Sequence, residues 1–385
     1  MTTKLGELTG ATLADVCRLV TDGTHDTPRR VKLGYPLIKA KEIVGGRIDF
    51  ETCDQISEQE HLKVIARSKP EFGDTLFAHI GASLGEAAFV DTTRGFSIKN
   101  VALFKPNPDI IDPRYLHYLV ISPAFQDLAK GTKTGSAQPF LGLSQLRSHR
   151  IQYHRDMVTQ RRIAGILSAY DELIENNQRR IKILEEMARS LYREWFVLFR
   201  FPGHDKVKML SSPLGPIPQG WDIKKLGEVL ELNYGKALKQ DTRREGQTPV
   251  FGSSGIIGYH DISLVKGPGI IVGRKGNVGS VFWSGVDFYP IDTAYFVTSS
   301  LPLRFVFYEL QTKNFINNDA AVPGLSRHQA YSLETIIPST DLLTRFCRLA
   351  DNFEKQASKL RHQIENLRRT RDLLLPRLLS GNEIS

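Results

Sequence analysis

Landmarks in this sequence occur twice and in the same order, and that duplication restricts the fold more than any other feature. Leu13-Ala-Asp-Val16-Cys-Arg-Leu19 returns as Leu226-Gly-Glu-Val229-Leu-Glu-Leu232. Gly73 and Gly85 bracket an apolar run, and Gly267 and Gly279 bracket another at the same separation. Gly142-Leu143-Ser144 returns as Gly324-Leu325-Ser326. Each series then runs into a mixed apolar stretch and a long helical one. Ordered recurrence of this kind marks a repeated structural unit. The first copy is the longer, so the copies differ in their insertions.

The stretches that close the copies have a helical period. Ile163, Leu167, Tyr170, Ile174, Asn177, Ile181, Leu184, Ala188, Leu191 and Trp195 alternate by four and three, which is a heptad seam. Asp156 caps its start and Pro202-Gly203 stops it. The second stretch runs from about Asp341 to Leu379, with Leu349, Phe353, Leu360, Ile364, Leu367, Leu374 and Leu378 on one face and Ser380-Gly381 at its end. At 1.5 Å per residue each helix is roughly 60 Å long. Matched lengths favour mutual pairing over each helix packing only on its own body. If the copies are related by an internal twofold, the pairing is antiparallel. Asn177 on the seam is a candidate register device, or simply a tolerated polar residue.

The remaining segments are rich in short β-type runs broken by Gly, Pro and Asn, such as Tyr35-Pro-Leu-Ile-Lys39, Val101-Ala-Leu-Phe and Ala294-Tyr-Phe-Val. Short helices are expected at 113–130 and 302–313. The fold class is α+β: two globular α/β bodies with largely antiparallel sheets, joined by two long helices. The expected domains are 1–155, a central helix at 156–200, a Pro/Gly/Ser-rich linker at 201–221, a second body at 222–340 and a closing helix at 341–385.

The chain has 385 residues, enough for two domains. Its formal net charge is +9, with 51 Lys and Arg against 42 Asp and Glu, which suggests a polyanionic partner. Every segment carries a small excess, so an anion site has to be built by folding. Cys17, Cys53 and Cys347 are far apart and odd in number, which excludes a disulfide framework and fits a reducing compartment. The first residues lack the apolar core of a secretory signal, and no apolar run is long enough to span a bilayer. The expectation is a soluble cytoplasmic protein with no membrane partner.

Enzyme motifs are missing. Gly269-Ile-Ile-Val-Gly273-Arg-Lys-Gly lacks the ending of a phosphate-binding Walker loop, and no GxGxxG opens a helix after a strand. There is no HExxH and no Cys/His ligand cluster, and His149 and His154 are poorly spaced for one helical face. No Asn/Asp-Pro-Pro-aromatic loop of an amino-methyltransferase is present. Asp171-Glu172 and Glu185-Glu186 lie on the heptad helix and read as solvated faces. No catalytic or metal-binding residues are assigned.

Anion-binding features are present instead. Gly-rich turns expose backbone N–H groups, and neighbouring Arg, Lys and amide side chains reach phosphates or base edges. In the first copy the candidates for contact with duplex DNA are Thr24, His25 and Thr27, then Lys39, and Lys133, Thr134, Ser136 and Gln138. In the second they are Tyr234, Lys236 and Lys239, then Ser253 and Ser254, Arg274, Lys275 and Asn277, and Ser326, Arg327 and His328. Each loop alone reads as an ordinary turn; matched placement in two copies argues for function.

With these residues in place, the chain resembles the DNA-specificity subunit of type I restriction-modification systems over nearly its whole length. The first copy carries the likeness in Leu13-Ala-Asp-Val, Asp22-Gly-Thr-His25-Asp-Thr-Pro28, Phe72-Gly-Asp-Thr-Leu and Gln160-Arg-Arg-Ile-Ala. The second carries it in Leu226-Gly-Glu-Val, Thr248-Pro-Val-Phe-Gly, Gly255-Ile-Ile-Gly, Arg274-Lys-Gly-Asn-Val-Gly279 and Gly324-Leu-Ser326. Asp22-Gly-Thr-His is replaced in the second copy by Asn233-Tyr-Gly-Lys-Ala-Leu.

The resemblance implies two target-recognition domains held apart by an antiparallel helix pair, reading a bipartite asymmetric site on double-stranded DNA. It implies no catalysis by this chain and no cofactor bound to it. Two modification subunits would methylate adenine at N6 with S-adenosylmethionine, and a restriction subunit would use ATP and Mg. Met187, Trp195, Phe196, Phe199 and Phe201 form an apolar surplus that would dock those partners, or else pack locally. The competing readings are an orphan or regulatory DNA-binding relative, a two-domain scaffold that binds no DNA, and a nuclease with an unrecognised site.

Overall fold

The computed structural model describes residues 7–131, 140–315 and 324–381. The chain divides into two compact units, one built from Met1–Asn177 with His362–Ser385 and the other from Gln178–Arg361. The long helices Met157–Tyr192 and Thr340–Leu379 each contribute a segment to both units.

The first unit opens with Leu8–Thr12 and a one-turn helix, Leu13–Val16. The Thr12 hydroxyl accepts from the Asp15 N–H, and the Asp15 carboxylate accepts from the Thr12 N–H at 2.8 Å. This reciprocal cap satisfies two donors that a helix start leaves unpaired. The chain then enters a sheet ordered Cys17–Asp22, Ala102–Pro106, Thr75–Phe77, Ala87–Phe89, antiparallel throughout.

Strand alternation gives that sheet two apolar faces. Phe77 and Phe104 pack with Tyr115, Leu116 and Phe125 of the helices Pro113–Ile121 and Pro123–Gly131. Their neighbours Leu76 and Leu103 pack on the other side with Ile38, Phe96 and Ile98. Ile38 and Ile98 belong to a second sheet, ordered Ser97–Ile98, Tyr35–Ile38, Asp54–Ile56, Arg30–Val31. Arg150–His154 returns to pair with Leu8–Thr12 and leads into the first long helix. Ile163 and Leu167 of that helix share the core with Leu375 and Leu378 of the second, and Arg371 is ion-paired to Asp171.

The second unit repeats this order of elements. Asp222–Lys225 leads to a one-turn helix, Leu226–Val229, and to a sheet ordered Leu230–Tyr234, Ala294–Ser299, Gly269–Gly273, Val281–Ser284, again antiparallel. The hairpin Thr248–Gly252 and Gly255–His260 pairs with Tyr289–Pro290 as a second sheet. Helix Leu303–Gln311 covers the main sheet, and Glu334–Ile337 returns to pair with Asp222–Lys225. Arg361 joins Glu185 at 2.8 Å, and Tyr192 packs against Phe346.

Several expectations are corrected. The first long helix ends at Tyr192, before Pro202; Arg193–Val197 then widens into a π-turn, and Phe199 breaks the helix with φ 56°. On the second helix Leu349 faces outward, while Phe346, Ala350 and Ala357 are buried. Small alanines take seam positions that a search for bulk overlooks. Trp195, Phe196 and Phe201 are core residues beside Trp221, Phe305 and Phe346, not a docking surface; only Met187 is well exposed. The stretch read as a linker therefore begins and ends in the second unit's core, at Phe201 and Trp221, with a small hairpin of Met209–Leu210 and Ile217–Pro218 between them. The register of the copies also differs from the Gly-Leu-Ser match. The residues that start the short helices Leu143–Ser148 and Arg327–Ser332 are Gly142 and Ser326, so Gly142 corresponds to Ser326 and not to Gly324.

Candidate functional site

Each main sheet delivers its first strand to a glycine that nothing larger can replace. In the first unit Gly23 follows Asp22; a β-carbon there would lie 2.1 Å from the Ile98 carbonyl oxygen. In the second, Gly235 follows Tyr234, and a β-carbon would lie 2.2 Å from the Ile291 carbonyl oxygen. Both peptide N–H groups donate to the neighbouring strand, at 2.9 Å to Val101 and 3.2 Å to Ala294. The two copies thus present Asp22 and Tyr234 at corresponding places, each followed by a polar loop.

In the second unit this place is a cationic cleft of about 460 Å³ lined by Tyr234, Arg274, Lys275, Tyr295, Gly324, Leu325, Ser326 and Arg327. The guanidinium carbons of Arg274 and Arg327 sit 4.8 and 4.6 Å from the Tyr234 ring centre. Arg274 also donates to the Asp292 carbonyl at 2.9 Å, and its backbone N–H and that of Lys275 both donate to Thr293. Leu325 N–H donates to the Arg274 carbonyl at 2.8 Å, tying the two halves of the cleft together. Burial and the neighbouring Tyr234 phenol raise the Tyr295 pKa, so its hydroxyl stays neutral and donates to Leu325 O at 3.1 Å. Among the described residues Arg274, Lys275 and Arg327 have no carboxylate partner. The cleft therefore brings together three cations, two of them oriented on Tyr234, that have no carboxylate partner among the described residues, an arrangement suited to a polyanion.

Asn277 reaches Ser254 at 3.0 Å, and the Ser280 hydroxyl donates to Ser253 O, which docks the hairpin turn onto the Arg274 loop. Lys236 and Lys239 are exposed on the segment after Gly235. His328 points elsewhere, into a separate cleft with Gly227, Glu231 and Tyr331.

The first unit builds the corresponding place from different chemistry. Buried Asp22 accepts from Arg67 and lies 3.0 Å from His25 Nε2. His25 Nδ1 lies 2.8 Å from the Asn100 amide oxygen. Thr24 pairs with the strand end at Ile98 and Asn100, and Thr27 accepts from Lys99. Thr24, His25 and Thr27 are thereby brought together with Lys99 and Asn100. A neighbouring cleft of about 280 Å³ is lined by Lys39, Lys41, Lys99, Asn100 and Ser83. Lys39 is committed to Asp54, whose carboxyl it holds below its usual range. Lys133, Thr134, Ser136 and Gln138 lie outside the described residues.

At the position of Arg274 the first unit has His79, matched by the hydrogen bonds of Leu141 N–H to His79 O and Leu325 N–H to Arg274 O. Its ring is buried, which lowers its pKa, and its Nε2 has no partner among the described residues. Tyr295, Lys99 and Asn100 were not singled out as site residues from sequence, whereas Asp22 was named only as part of the Asp22-Gly-Thr-His25 segment. They come from strand ends distant in the chain, and only the glycine after Asp22 and Tyr234 marks the place locally. Among the described residues no group of three or more His, Cys, Asp or Glu is placed to hold a metal ion, and no helix is long and apolar enough to cross a membrane.

Comparison with known proteins gives the same picture of the whole chain. Residues 9–186 and 218–341 match the family described as type I restriction modification DNA specificity domain. The type I restriction enzyme MjaIX specificity subunit of Methanocaldococcus jannaschii is 28% identical, the match covering 53% of this chain and 50% of the relative. The HindI specificity subunit of Haemophilus influenzae is 22% identical over 86% of this chain and 91% of its own length. The chain thus spans about half the length of the archaeal relatives it matches. A crystal structure of a type I restriction-modification S subunit from M. genitalium shares the fold, with TM-score 0.57 and 17% identity, covering 98% of this chain and 99% of that one. With both of its units matched, the chain belongs to the type I restriction-modification DNA-specificity family.

Proposed function

We propose that this chain supplies the DNA address of a type I restriction-modification complex. Each unit reads one half of a bipartite, asymmetric duplex site. Partner subunits carry out N6-adenine methylation or restriction there. The observation that carries the reading is the second unit's cleft, where Arg274, Lys275 and Arg327 gather beside Tyr234 with no carboxylate partner among the described residues. The first unit offers His25, Asn100, Lys99 and Thr27 at the corresponding place, so two unlike surfaces hang on one repeated frame. Unlike surfaces read unlike half-sites. S-adenosylmethionine, ATP and Mg belong on the partners in this reading, and two modification subunits and one restriction subunit complete the assembly in the cytoplasm.

The domain plan follows: recognition domains at 1–155 and 201–339, the second taking in the stretch read as a linker, with the long helices Met157–Tyr192 and Thr340–Leu379 between and after them. The helices pair antiparallel as a coiled coil, and the copies are related by a pseudo-twofold. Support comes from Arg371 with Asp171 inside one unit and Arg361 with Glu185 inside the other. A stiff pair of that kind sets a fixed, unread spacer of about one turn of DNA, ~34 Å.

The test is methylome mapping in cells with and without this chain, alongside duplex binding measured against salt. A bipartite methylated-adenine motif that vanishes with the gene, and binding that weakens steeply as salt rises, are expected. Absence of duplex binding and an unchanged methylome would leave the two-domain scaffold as the better description.

A further inference from the structure

The second unit carries an apolar feature that the cationic cleft does not use. The strand Gly255–His260 is the edge of its three-stranded sheet. Its partner register is Val250 with Gly258 and Phe251 with Ile256, which leaves Ile257 as the extra residue of a β-bulge. A bulge re-aims side chains that alternation would send to opposite faces. Here the consecutive residues Ile256 and Ile257 both reach solvent, 54% and 39% exposed, followed by Tyr259 at 56% and Ile262 at 51%. Apolar side chains concentrated on an open sheet edge mark a binding surface or an aggregation hazard.

The bulge is held in place. Arg243 Nη1 donates to Ile257 O at 2.8 Å. Gly258 adopts φ 145°, and a β-carbon there would meet Arg243 at 2.7 Å. Backbone of this kind persists because its surroundings over-determine it, which suits a feature with a purpose.

Its position points to one occupant. A β-carbon on Gly252 would touch Ile257 Cδ1 at 3.4 Å and Thr293 Oγ1 at 3.5 Å, so Ile257 leans across Gly252 towards Thr293. The Thr293 carbonyl is the acceptor for both Arg274 and Lys275 N–H groups, at 2.9 and 3.1 Å. The hairpin turn is tied to the same loop through Ser254 and Asn277. Ile257 is therefore a neighbour, through Gly252 and Thr293, of the loop that carries Arg274 and Lys275, and Ile256 precedes it on the same exposed edge. What binds the cations is a polyanion, and the polyanion with an apolar interior opened by a side-chain wedge is duplex DNA. Aliphatic wedges enter base steps, unstack them and bend the helix.

We propose that Ile256 and Ile257 form a wedge that enters the base stack of the half-site read by the second unit, while the Tyr234–Arg274–Arg327 cleft grips the flanking backbone. This rests on the DNA-binding reading above and adds a mechanical act to it: the second half-site is read partly through how readily one step unstacks. The side chains act by apolar contact alone, so no base-specific hydrogen bond is needed at that step.

The experiment uses the full chain co-expressed with its modification subunits and a duplex selected by it from a random pool. 2-Aminopurine is placed in turn at each position of the second half-site, and affinity is followed separately by fluorescence anisotropy. Wild-type protein should raise 2-aminopurine fluorescence several-fold at one step. It should also bind about tenfold more tightly when that step already carries a mismatch, because the unstacking cost has been removed from binding. Ile256→Ser and Ile257→Ser should lose the fluorescence rise and the mismatch preference, and Ile257→Leu should keep both. Arg274→Ala should weaken binding to matched and mismatched duplex alike, which separates grip from wedge.

Duplex bound by wild type with flat 2-aminopurine signals at every position overturns the wedge and leaves the DNA-binding reading standing. Serine variants that bind DNA as wild type does but lose their modification subunits, or that abolish self-association, make the edge a protein-docking face and equally overturn it. Failure of the wild-type complex to select any duplex removes both.

Discussion

Arg274 and Arg327 hold their guanidinium groups over the Tyr234 ring, and among the described residues neither is paired with a carboxylate. Each is oriented by the ring and remains available to a phosphate or a base edge. Arg327→Ala should therefore weaken duplex binding by about tenfold and reduce the slope of log affinity against log salt by about one. Arg327→Lys should restore the slope but not the affinity, because an ammonium keeps the charge and loses the planar stack. Titrations at several salt concentrations read both quantities. A second residue bears on stability. His117 is buried in the first unit, and desolvation lowers its pKa to about 4 from an ordinary 6.5. The folded state keeps the ring neutral while the unfolded chain takes up the proton. Its contribution is thus whole above pH 6.5 and is lost as the pH falls towards about 4. His117→Leu should flatten the fall in unfolding free energy across that window by up to about 3 kcal/mol, read from urea titrations followed by far-ultraviolet circular dichroism. A fall as steep in the variant as in wild type would count against this assignment.

At the scale of elements, the strand-to-loop junctions at Gly23 and Gly235 are the least tolerant points of the frame. A methyl group at either would be driven into a carbonyl oxygen. Gly235→Ala should cost about 2 kcal/mol or more, visible as a lowered thermal midpoint, with loss of duplex binding. Gly165 gives the opposite case: it lies mid-helix with open space where a β-carbon would go. Gly165→Ala should stabilise the protein by about 0.5–1 kcal/mol. The same contrast explains what the sequence made legible. The long helices declared themselves because Ile163, Leu167 and Ile174 repeat at helical spacing and are buried. Leu349 misled because burial there falls to Ala350, which carries no hydrophobic bulk to count. Trp195 and Phe196 misled in the other direction: bulk at a helix end says nothing about which core will enclose it. Tyr234, Arg274, Lys275 and Arg327 were nameable as loop residues, but Tyr295 and Asn100 were not. Their proximity to the clefts depends on strand pairing across tens of residues, and no local pattern encodes that.

For the molecule as a whole, the repeated frame makes a metric prediction. In the proposed arrangement the helix pair fixes the distance between half-sites. One heptad inserted at matched positions in both long helices adds ~10 Å, or about three base pairs at 3.4 Å each. The methylated motif should then keep both half-sequences and gain an unread spacer of about that length, as methylome mapping would report. Unchanged spacing would separate the helices from the measurement. The two units share one strand order but differ at every polar position around the first strand's end, from Asp22 and His25 to Tyr234 and Lys236. The backbone of Gly23 and Gly235, packed against a carbonyl and bonded to the neighbouring strand, is common to both loops, while the side-chain bonds around it differ between the copies. The residues that meet the ligand therefore leave the shared part of the frame to the glycines. A lineage can re-letter them one at a time and acquire a new vocabulary while the page they are printed on stays the same.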